Sequence, residues 1–401
     1  MENFHDPMRQ VGYLQQCLSS NKKPLGLFLG AGCPMAVKTS GDSNSPLIPD
    51  IAGITEIVRN SLAKSASCGA ILQVLEKQFK MDERTDTTVE DILTHVRALR
   101  AVAGKDKVRG LSAEELDKFD AEICHLIYGI ADKTLPCFET PYHRIAAWAG
   151  ALPREHPIEV FTTNYDQLVE QAFEDSRVPY FDGFAGARRP FFDLRAMEED
   201  ALPARWARLW KIHGSINWHQ DPSRGVFRGM PGEGSSKCVI HPSHLKYEES
   251  RRMPYLAMMD RLRDFLKQPT SALVFCGYSF RDRHINAVLE QGLQYATTTM
   301  AFALVFGRIE QYAEAIALAS KRTNLSVLAL DGAIIGGLRA PWQEVESGLM
   351  ASDNGKWVQW KLVDPANEEG KRKAEFALGD FAAFGEFLAE LLGNVRKMQE
   401  V

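Results

Sequence analysis

The 401-residue sequence predicts an α/β fold, and three observations carry that prediction. Four apolar runs of strand length each stop at glycine or polar residues. They are Leu25-Gly26-Leu27-Phe28-Leu29 before Gly30-Ala31-Gly32, Val160-Phe161 before Thr162-Thr163-Asn164-Tyr165-Asp166, a run ending in Lys211-Ile212-His213-Gly214, and Ala272-Leu273-Val274-Phe275-Cys276 before Gly277-Tyr278-Ser279-Phe280. The long segment between the first two carries helical spacing. An apolar share of 45% is enough for a large core. Continuous apolar runs are strands buried on both faces, so the expected architecture is a Rossmann-like parallel sheet with a helical insertion subdomain.

Taken in order, Leu25 to Leu29 reads as a buried strand feeding a tight glycine turn, where backbone amides can approach a pyrophosphate. The loop from Pro34 to Pro49, with Gly41-Asp42-Ser43-Asn44-Ser45-Pro46, is rich in turn formers. Cys33 is expected to be unreactive, because nothing nearby in sequence would lower its pKa. Thr88-Val89-Glu90-Asp91 is a capping-box pattern, followed by Val89, Ile92, Leu93, Val96 and Leu99 at helical spacing. Ser112 with Glu115 repeats that signal, and Thr140-Pro141 opens a helix bearing Ile145 and Trp148. The insertion is placed at 66–150, as structural cover, a lid or an oligomer contact.

Residues 220–236 read as a Gly-, Ser- and Pro-rich loop. Later strands are expected at Ala301 to Phe306 and Leu325 to Leu330, the second ending in Asp331-Gly332. Past residue 340 the pattern changes. Trp357-Val358-Gln359-Trp360-Lys361-Leu362 alternates as a half-exposed strand, and a final helix carries Phe381, Phe384, Leu388, Leu391, Leu392 and Val395 on one face. Such a stripe packs onto its own domain or docks a partner subunit. The chain therefore divides into a nucleotide-binding domain, 1–340, and a C-terminal strand-helix extension, 341–401.

A net charge of -5 and a pI near 6.1 argue against a broad or sequence-specific nucleic-acid-binding face. Arg188-Arg189, Arg251-Arg252 and Lys371-Arg372-Lys373 are small clusters that read as solvated surface. The seven cysteines are scattered singly, as in reduced cytosolic proteins. No stretch approaches the roughly 20 apolar residues that span a bilayer, and Met1-Glu2-Asn3-Phe4-His5-Asp6 has no basic region leading into an apolar one. The expectation is a cytoplasmic protein with no membrane contact.

In an open parallel sheet the carboxyl ends of the strands line the ligand crevice, so four ends bearing Gly, Asn, Asp, His and Ser describe one site. His213 follows an apolar strand and precedes a glycine turn, where it can act as a base. The fingerprint Gly-x-Gly-x-x-Gly is incomplete, since Met35 takes the third glycine position, and Asp50 sits in a proline-containing loop rather than at a strand end. Both points weigh against a hydride-transfer dehydrogenase. No Gly-x-Ser-x-Gly elbow exists for a serine hydrolase.

In order and identity these four motifs resemble the sirtuin family, across most of residues 25–331. The resemblance implies a sirtuin-like NAD-binding domain in which Gly30, Ala31 and Gly32 cradle the pyrophosphate, and Gly277 and Ser279 hold ribose and phosphate oxygens. It also implies that Asp166 holds the nicotinamide carboxamide, that Asn164 positions a ribose hydroxyl or the attacking water, and that His213 is the general base. The adenine would lie near Asp331-Gly332, and the loop after Cys33 would fold over NAD.

Protein-deacetylating sirtuins carry two Cys-x-x-Cys pairs after the catalytic histidine; beyond His213 only Cys238 and Cys276 remain. No zinc ribbon can be built from them, His241-Pro242-Ser243-His244 lacks further ligands at suitable spacing, and no metal is assigned. The peptide-pairing segment is replaced by Arg281-Asp282-Arg283-His284-Ile285-Asn286. Thr-Thr-Asn-Tyr-Asp, Lys-x-His-Gly-Ser and Gly-Tyr-Ser-Phe-x-Asp are similar to the bacterial antiviral-defence branch of the family. That resemblance implies an NAD hydrolase forming nicotinamide and ADP-ribose, which acts by depleting NAD. It further implies a homo-oligomer partnered by a HerA-type DNA-translocating ATPase. The rival implication is a sirtuin-fold assembly subunit that binds NAD as a regulatory ligand and scaffolds that ATPase.

Overall fold

The computed structural model describes residues 3–39, 45–85, 87–221, 225–229, 236–237, 253–343, 353–362 and 372–399. The strands of the main sheet are β1 (Leu25–Leu29), β2 (Ile158–Thr162), β3 (Tyr180–Phe181), β6 (Ala207–Lys211), β10 (Ala272–Cys276), β11 (Met300–Leu304), β12 (Leu325–Leu328), β13 (Gly332–Ile335) and β14 (Leu338–Pro341). Their order is β14-β13-β12-β11-β10-β1-β2-β6-β3. Every pairing from β3 to β12 is parallel, and β13 and β14 add an antiparallel hairpin at one edge. Reading β1, β2 and β6 as strands one to three, and β10, β11 and β12 as four to six, gives the doubly wound order 3-2-1-4-5-6. The expected α/β class and Rossmann-like sheet are thus what the chain adopts.

Five-residue apolar runs form the central strands because both faces are covered. Along β1, Leu25, Leu27 and Leu29 point into one apolar cluster while Phe28 points into the other; Val160 and Phe161 of β2, and Val274 and Phe275 of β10, divide in the same way. The first cluster takes in helices α1 (Pro7–Leu18), α7 (Pro141–Ala151) and α8 (Leu168–Asp175). The second takes in the short α9 (Leu194–Glu199), through Met197, with α10 (Tyr255–Lys267), α11 (Arg283–Tyr295) and α12 (Ala313–Lys321). Charged residues inside these strands have partners. Glu159 of β2 accepts Nε1 of Trp210 at 2.6 Å, and Nε of Arg208 in β6 donates to Asp200 at 2.7 Å.

A helical module stands between β1 and β2. After the short α2 (Gly32–Ala36) come α3 (Ile51–Lys64), α4 (Ala66–Met81), α5 (Val89–Val102) and α6 (Ala113–Ala131). Thr88 with Asp91, and Ser112 with Glu115, form the two capping boxes that start α5 and α6. These four helices share their own apolar cluster, from Val58 to Ile127. The sequence places the insertion at 66–150. In the structure α3 contributes Val58 and Leu62 to this core, whereas Tyr142, Ile145 and Trp148 of α7 pack into the sheet's first cluster. A smaller sheet, β4 (Phe184–Ala185), β5 (Phe191–Phe192), β8 (Gly225–Arg228), β7 (Trp218–Asp221) and β9 (Ser236–Lys237) in spatial order, borders the main one. It occupies part of the segment read from sequence as a loop at 220–236.

The C-terminal extension is integral to the main core. The antiparallel pair β15 (Val358–Leu362) and β16 (Arg372–Phe376) and the helix α13 (Phe381–Gln399) place Trp357, Val358, Phe376, Phe381, Phe384, Leu388 and Leu391 in the first cluster. The apolar stripe of α13 faces its own domain, against α7, where the rings of Tyr142 and Phe381 meet edge-on at 5.1 Å. Leu392 is half-buried there, and the side chain of Val395 lies outside the described residues. Among the described residues no helix is long and apolar enough to cross a membrane. Because Phe384 is fully buried, Phe384→Ala is expected to lose about 3–5 kcal/mol in urea unfolding. A loss below about 1 kcal/mol would mean that the stripe does not pack as described.

Candidate active site

β1 and β10 are neighbours from which the chain winds outward in opposite directions, so the crevice at their carboxyl ends is the switch point of the sheet. The turns that leave them interlock. The amide of Gly30 donates to Cys276 O and that of Gly32 to Gly277 O, both at 2.9 Å. A Cβ on Gly30 would stand 2.6 Å from Tyr278 Cα, and one on Gly277 2.5 Å from the Cys33 amide nitrogen. Gly277 also has φ +62°, in the left-handed region that glycine enters without strain. The sequence assigns Gly30 and Gly32 to a phosphate cradle; in the structure their amides are engaged by the neighbouring turn, and Ala31 is the exposed residue between them. Cys33 is fully buried and burial pushes its thiol far up, which keeps it protonated and inert.

The loop after β2 is held against this interlock. Thr162 Oγ1 donates to Leu29 O at 2.9 Å and accepts the Asn164 amide at 3.0 Å, while Asn164 Nδ2 donates to Gly30 O at 3.1 Å. Asp166 opens α8 by accepting the Leu168 amide at 3.1 Å. Beneath it, Lys211 at the end of β6 donates to Asp166 O and, at 2.8 Å, to Glu170 Oε1. The side chains of Lys211 and Glu170 are 1% and 6% exposed, so this is a buried ion pair joining the β2 loop to β6. Glu170 Oε2 has no partner among the described residues.

His213 follows two residues after β6. The Ile212 amide continues the ladder to Thr162 O at 2.9 Å, and the chain reverses at Gly214, φ +86°, whose amide returns to Lys211 O at 3.0 Å. The Ile216 amide and Ser215 Oγ both reach Tyr165 O, at 3.0 and 3.3 Å, which fixes the His213 turn to the Asn164 loop. The imidazole lies 6.5 Å from the Tyr165 ring. Its Nε2 is 3.2 Å from Asp282 Oδ2, with the two side chains 11% and 10% exposed. Burial holds the Tyr165 phenol well up, and the charges of Glu90 and Asp282 add to it, so α5 of the helical module stands within electrostatic reach of the crevice.

The turn after β10 is stapled from within. Tyr278 is buried and its hydroxyl donates to Asn286 Oδ1 at 3.2 Å, and Asn286 Nδ2 donates to Phe280 O at 2.5 Å. This pair holds Phe280 at φ +59°, where a bulky residue is strained. Ser279 is exposed at the mouth. Asp282 caps α11, accepting the His284 and Ile285 amides at 2.9 and 3.2 Å.

Gly30, Ala31, Gly32, Asn164, Asp166, His213, Gly277 and Ser279 all stand at the carboxyl ends of β1, β2, β6 and β10, along one edge of the sheet. Asp331 has a structural task, accepting the Ile309 amide at 3.0 Å. Asp282 and Lys211 are absent from the site that the sequence defines. An N-cap aspartate before Ile285, Val288 and Leu289 is readable from sequence, but its meeting with His213 is a matter of tertiary structure. Among the described residues no three His, Cys, Asp or Glu side chains are grouped to hold a metal ion. Cys238, His241 and His244 lie outside the described residues.

Burial raises the Asp166 carboxyl to about 6, an effect that Lys211 only partly offsets. An unfolded aspartate titrates near 3.9, so ionising Asp166 opposes folding. The penalty is absent below about pH 4 and complete above about pH 6. Asp166→Asn is therefore expected to be more stable than the wild type at pH 7.5 by on the order of 1–3 kcal/mol in urea unfolding. That gain should shrink from pH 6 downward and vanish near pH 4; a gain independent of pH would locate the effect elsewhere.

Residues 158–326 match a family profile described as a SIR2-like domain, a segment that holds Asn164, His213 and Ser279 but begins after the Gly30 turn. The sequence matches no curated protein. Among solved structures, one described by the words "Structural Basis for the Mechanism and Regulation of Sir2 Enzymes" is 12% identical, covering 75% of this chain and 86% of its own, with a TM-score of 0.36. A Sir2 homologue solved in complex with NAD is 12% identical, covering 78% and 89%, with a TM-score of 0.38. Superpositions of that quality fix no residue correspondence. Over residues 158–326 the chain is thus similar to a SIR2-like domain.

Proposed function

We propose that the chain is an NAD glycohydrolase, which cleaves NAD to nicotinamide and ADP-ribose. The observation that carries this reading is the convergence of Asn164 and the His213–Asp282 pair on the crevice at the switch point of a doubly wound sheet, where dinucleotides bind in this architecture. The match to a SIR2-like domain over β2 to β12 supports it. The interlocked glycines leave backbone rather than side chain at the join of the two turns, and Ala31 and Ser279 are exposed beside it.

Cleavage of an N-glycosidic bond passes through an oxocarbenium-like state while the leaving group departs. The chain's task is to place a water, hold the leaving group and take up a proton. With Nδ2 anchored on Gly30 O, Asn164 offers Oδ1 as the acceptor that positions the water or a ribose hydroxyl. His213 serves as general base through the ring nitrogen that carries a lone pair in the neutral imidazole. Asp166 holds the nicotinamide carboxamide, and Gly277 and Ser279 hold ribose and phosphate oxygens. By motif resemblance alone, the same proposal extends to NAD depletion in bacterial antiviral defence and to a homo-oligomer controlled by a HerA-type ATPase.

The test is NAD turnover by the purified chain, alone and with a HerA-type ATPase plus DNA, with products identified. His213→Ala is expected to lower kcat by about 10²–10⁴-fold while calorimetry shows NAD binding little changed. Equal turnover in His213→Ala and wild type would remove the assigned base. Binding without consumption in either setting would put a regulatory, scaffolding role in place of catalysis.

A further inference from the structure

Asp282 divides its carboxylate between two tasks. Oδ1 accepts two amides and caps α11, while Oδ2 meets Nε2 of His213 at 3.2 Å. The two residues come from strands that are not neighbours, since β1 and β2 lie between β10 and β6. With strands about 4.8 Å apart, the turns must reach across roughly 14 Å of sheet edge to meet. The contact therefore spans the carboxyl ends of β1 and β2. Both turns are braced: the Asp282 turn by Tyr278, Asn286 and the Phe280 carbonyl, the His213 turn by Gly214, Ser215 and Ile216.

We propose that Asp282 is the positioning residue of His213: it keeps the ring proton on Nε2 and so makes Nδ1 the nitrogen that acts as base. A carboxylate accepts only, so the Nε2–H donates to Oδ2 and the neutral ring carries its lone pair on Nδ1. The chemical consequence rests on the hydrolase reading above. As the water oxygen bonds to the anomeric carbon, the glycosidic C–N bond breaks and its electron pair leaves with nicotinamide. The water proton passes to Nδ1, and the resulting imidazolium stays paired with the Asp282 carboxylate. Among the described residues, the Tyr165 ring on the β2 loop faces this pair, and Glu90 of α5 acts electrostatically on Tyr165.

The test uses the full chain with ¹⁵N-labelled histidine, the His213 signals being those lost in His213→Gln. Above pH 7.5 the wild type is expected to show Nε2 protonated and Nδ1 bare. Asp282→Asn and Asp282→Ser both keep a good N-cap residue for α11, and in both the His213 ring should move toward a mixture of tautomers. Their kcat for NAD should fall by roughly 10²-fold or more, as when a triad aspartate is replaced, with KM changed less than about threefold. A wild-type ring protonated on Nδ1, or variants retaining both the wild-type tautomer and the wild-type kcat, would overturn the proposal. If the wild type consumes no NAD yet the tautomer still depends on Asp282, the positioning role stands and the hydrolase reading fails.

Discussion

The approach of two backbone turns to van der Waals contact, Gly30-Ala31-Gly32 against Gly277-Tyr278, is the constraint on which the rest of the crevice depends. Parallel strands end side by side, and side chains at their first loop residues would normally wedge the loops apart. Here the absence of Cβ atoms lets the β1–β10 ladder continue beyond the strands through two more hydrogen bonds. The turn after β1 then dives at once into α2, and the one after β10 is thrown outward through Phe280 to Asp282. Asn164 reads the interlock directly, its amide resting on the Gly30 carbonyl. A shift in one glycine turn would propagate to Asn164 on one side and to Asp282 on the other.

The second brace is electrostatic. Lys211 and Glu170 form an ion pair out of solvent, and such pairs return little net stability because desolvation offsets the attraction. What Lys211 supplies is placement. One ammonium grips both the Asp166 carbonyl and the Glu170 carboxylate, so the segment bearing Asn164 and the segment bearing His213 keep a fixed separation. An apolar residue of the same size would fill the space without that directional hold. The cluster that Glu159, Arg208 and Trp210 of the same strands form with Asp200 and with Arg261 of α10 obeys the same rule that buried charge persists where it is paired.

Much of this was legible in the sequence because the informative signals are local. Doubly buried strands announce themselves as unbroken apolar runs, and β1, β2 and β10 lie where those runs are. Capping boxes at Thr88 and Ser112 mark helix starts because side chain and amide are only three residues apart. What was not legible depends on pairings distant in the chain. Nothing in the residues around 141–151 says that α7 belongs with the sheet rather than with the helices before it. Strands of two residues, such as β4 and β5, are too short to carry a period. Asp282 reads locally as a helix cap, and its partner comes from a different strand-end turn nearly seventy positions earlier in the sequence.

The central strand carries a kinetic consequence. Leu25 of β1 pairs with Ile158 on one side and Ala272 on the other, so its neighbours are synthesised long after it and a whole helical module intervenes before the first arrives. Large loops must close before either ladder forms, and contacts of such high order are slow to make. The helical module, with a core of its own, is free to fold on the ribosome while β1 waits. The crevice cannot exist until β10 has seated and the chain has passed Asp282, long after β1 and the helical module have been made. A growing chain, or one cut short before Asp282, therefore holds no assembled crevice, and whatever chemistry the crevice performs waits for the turn after β10.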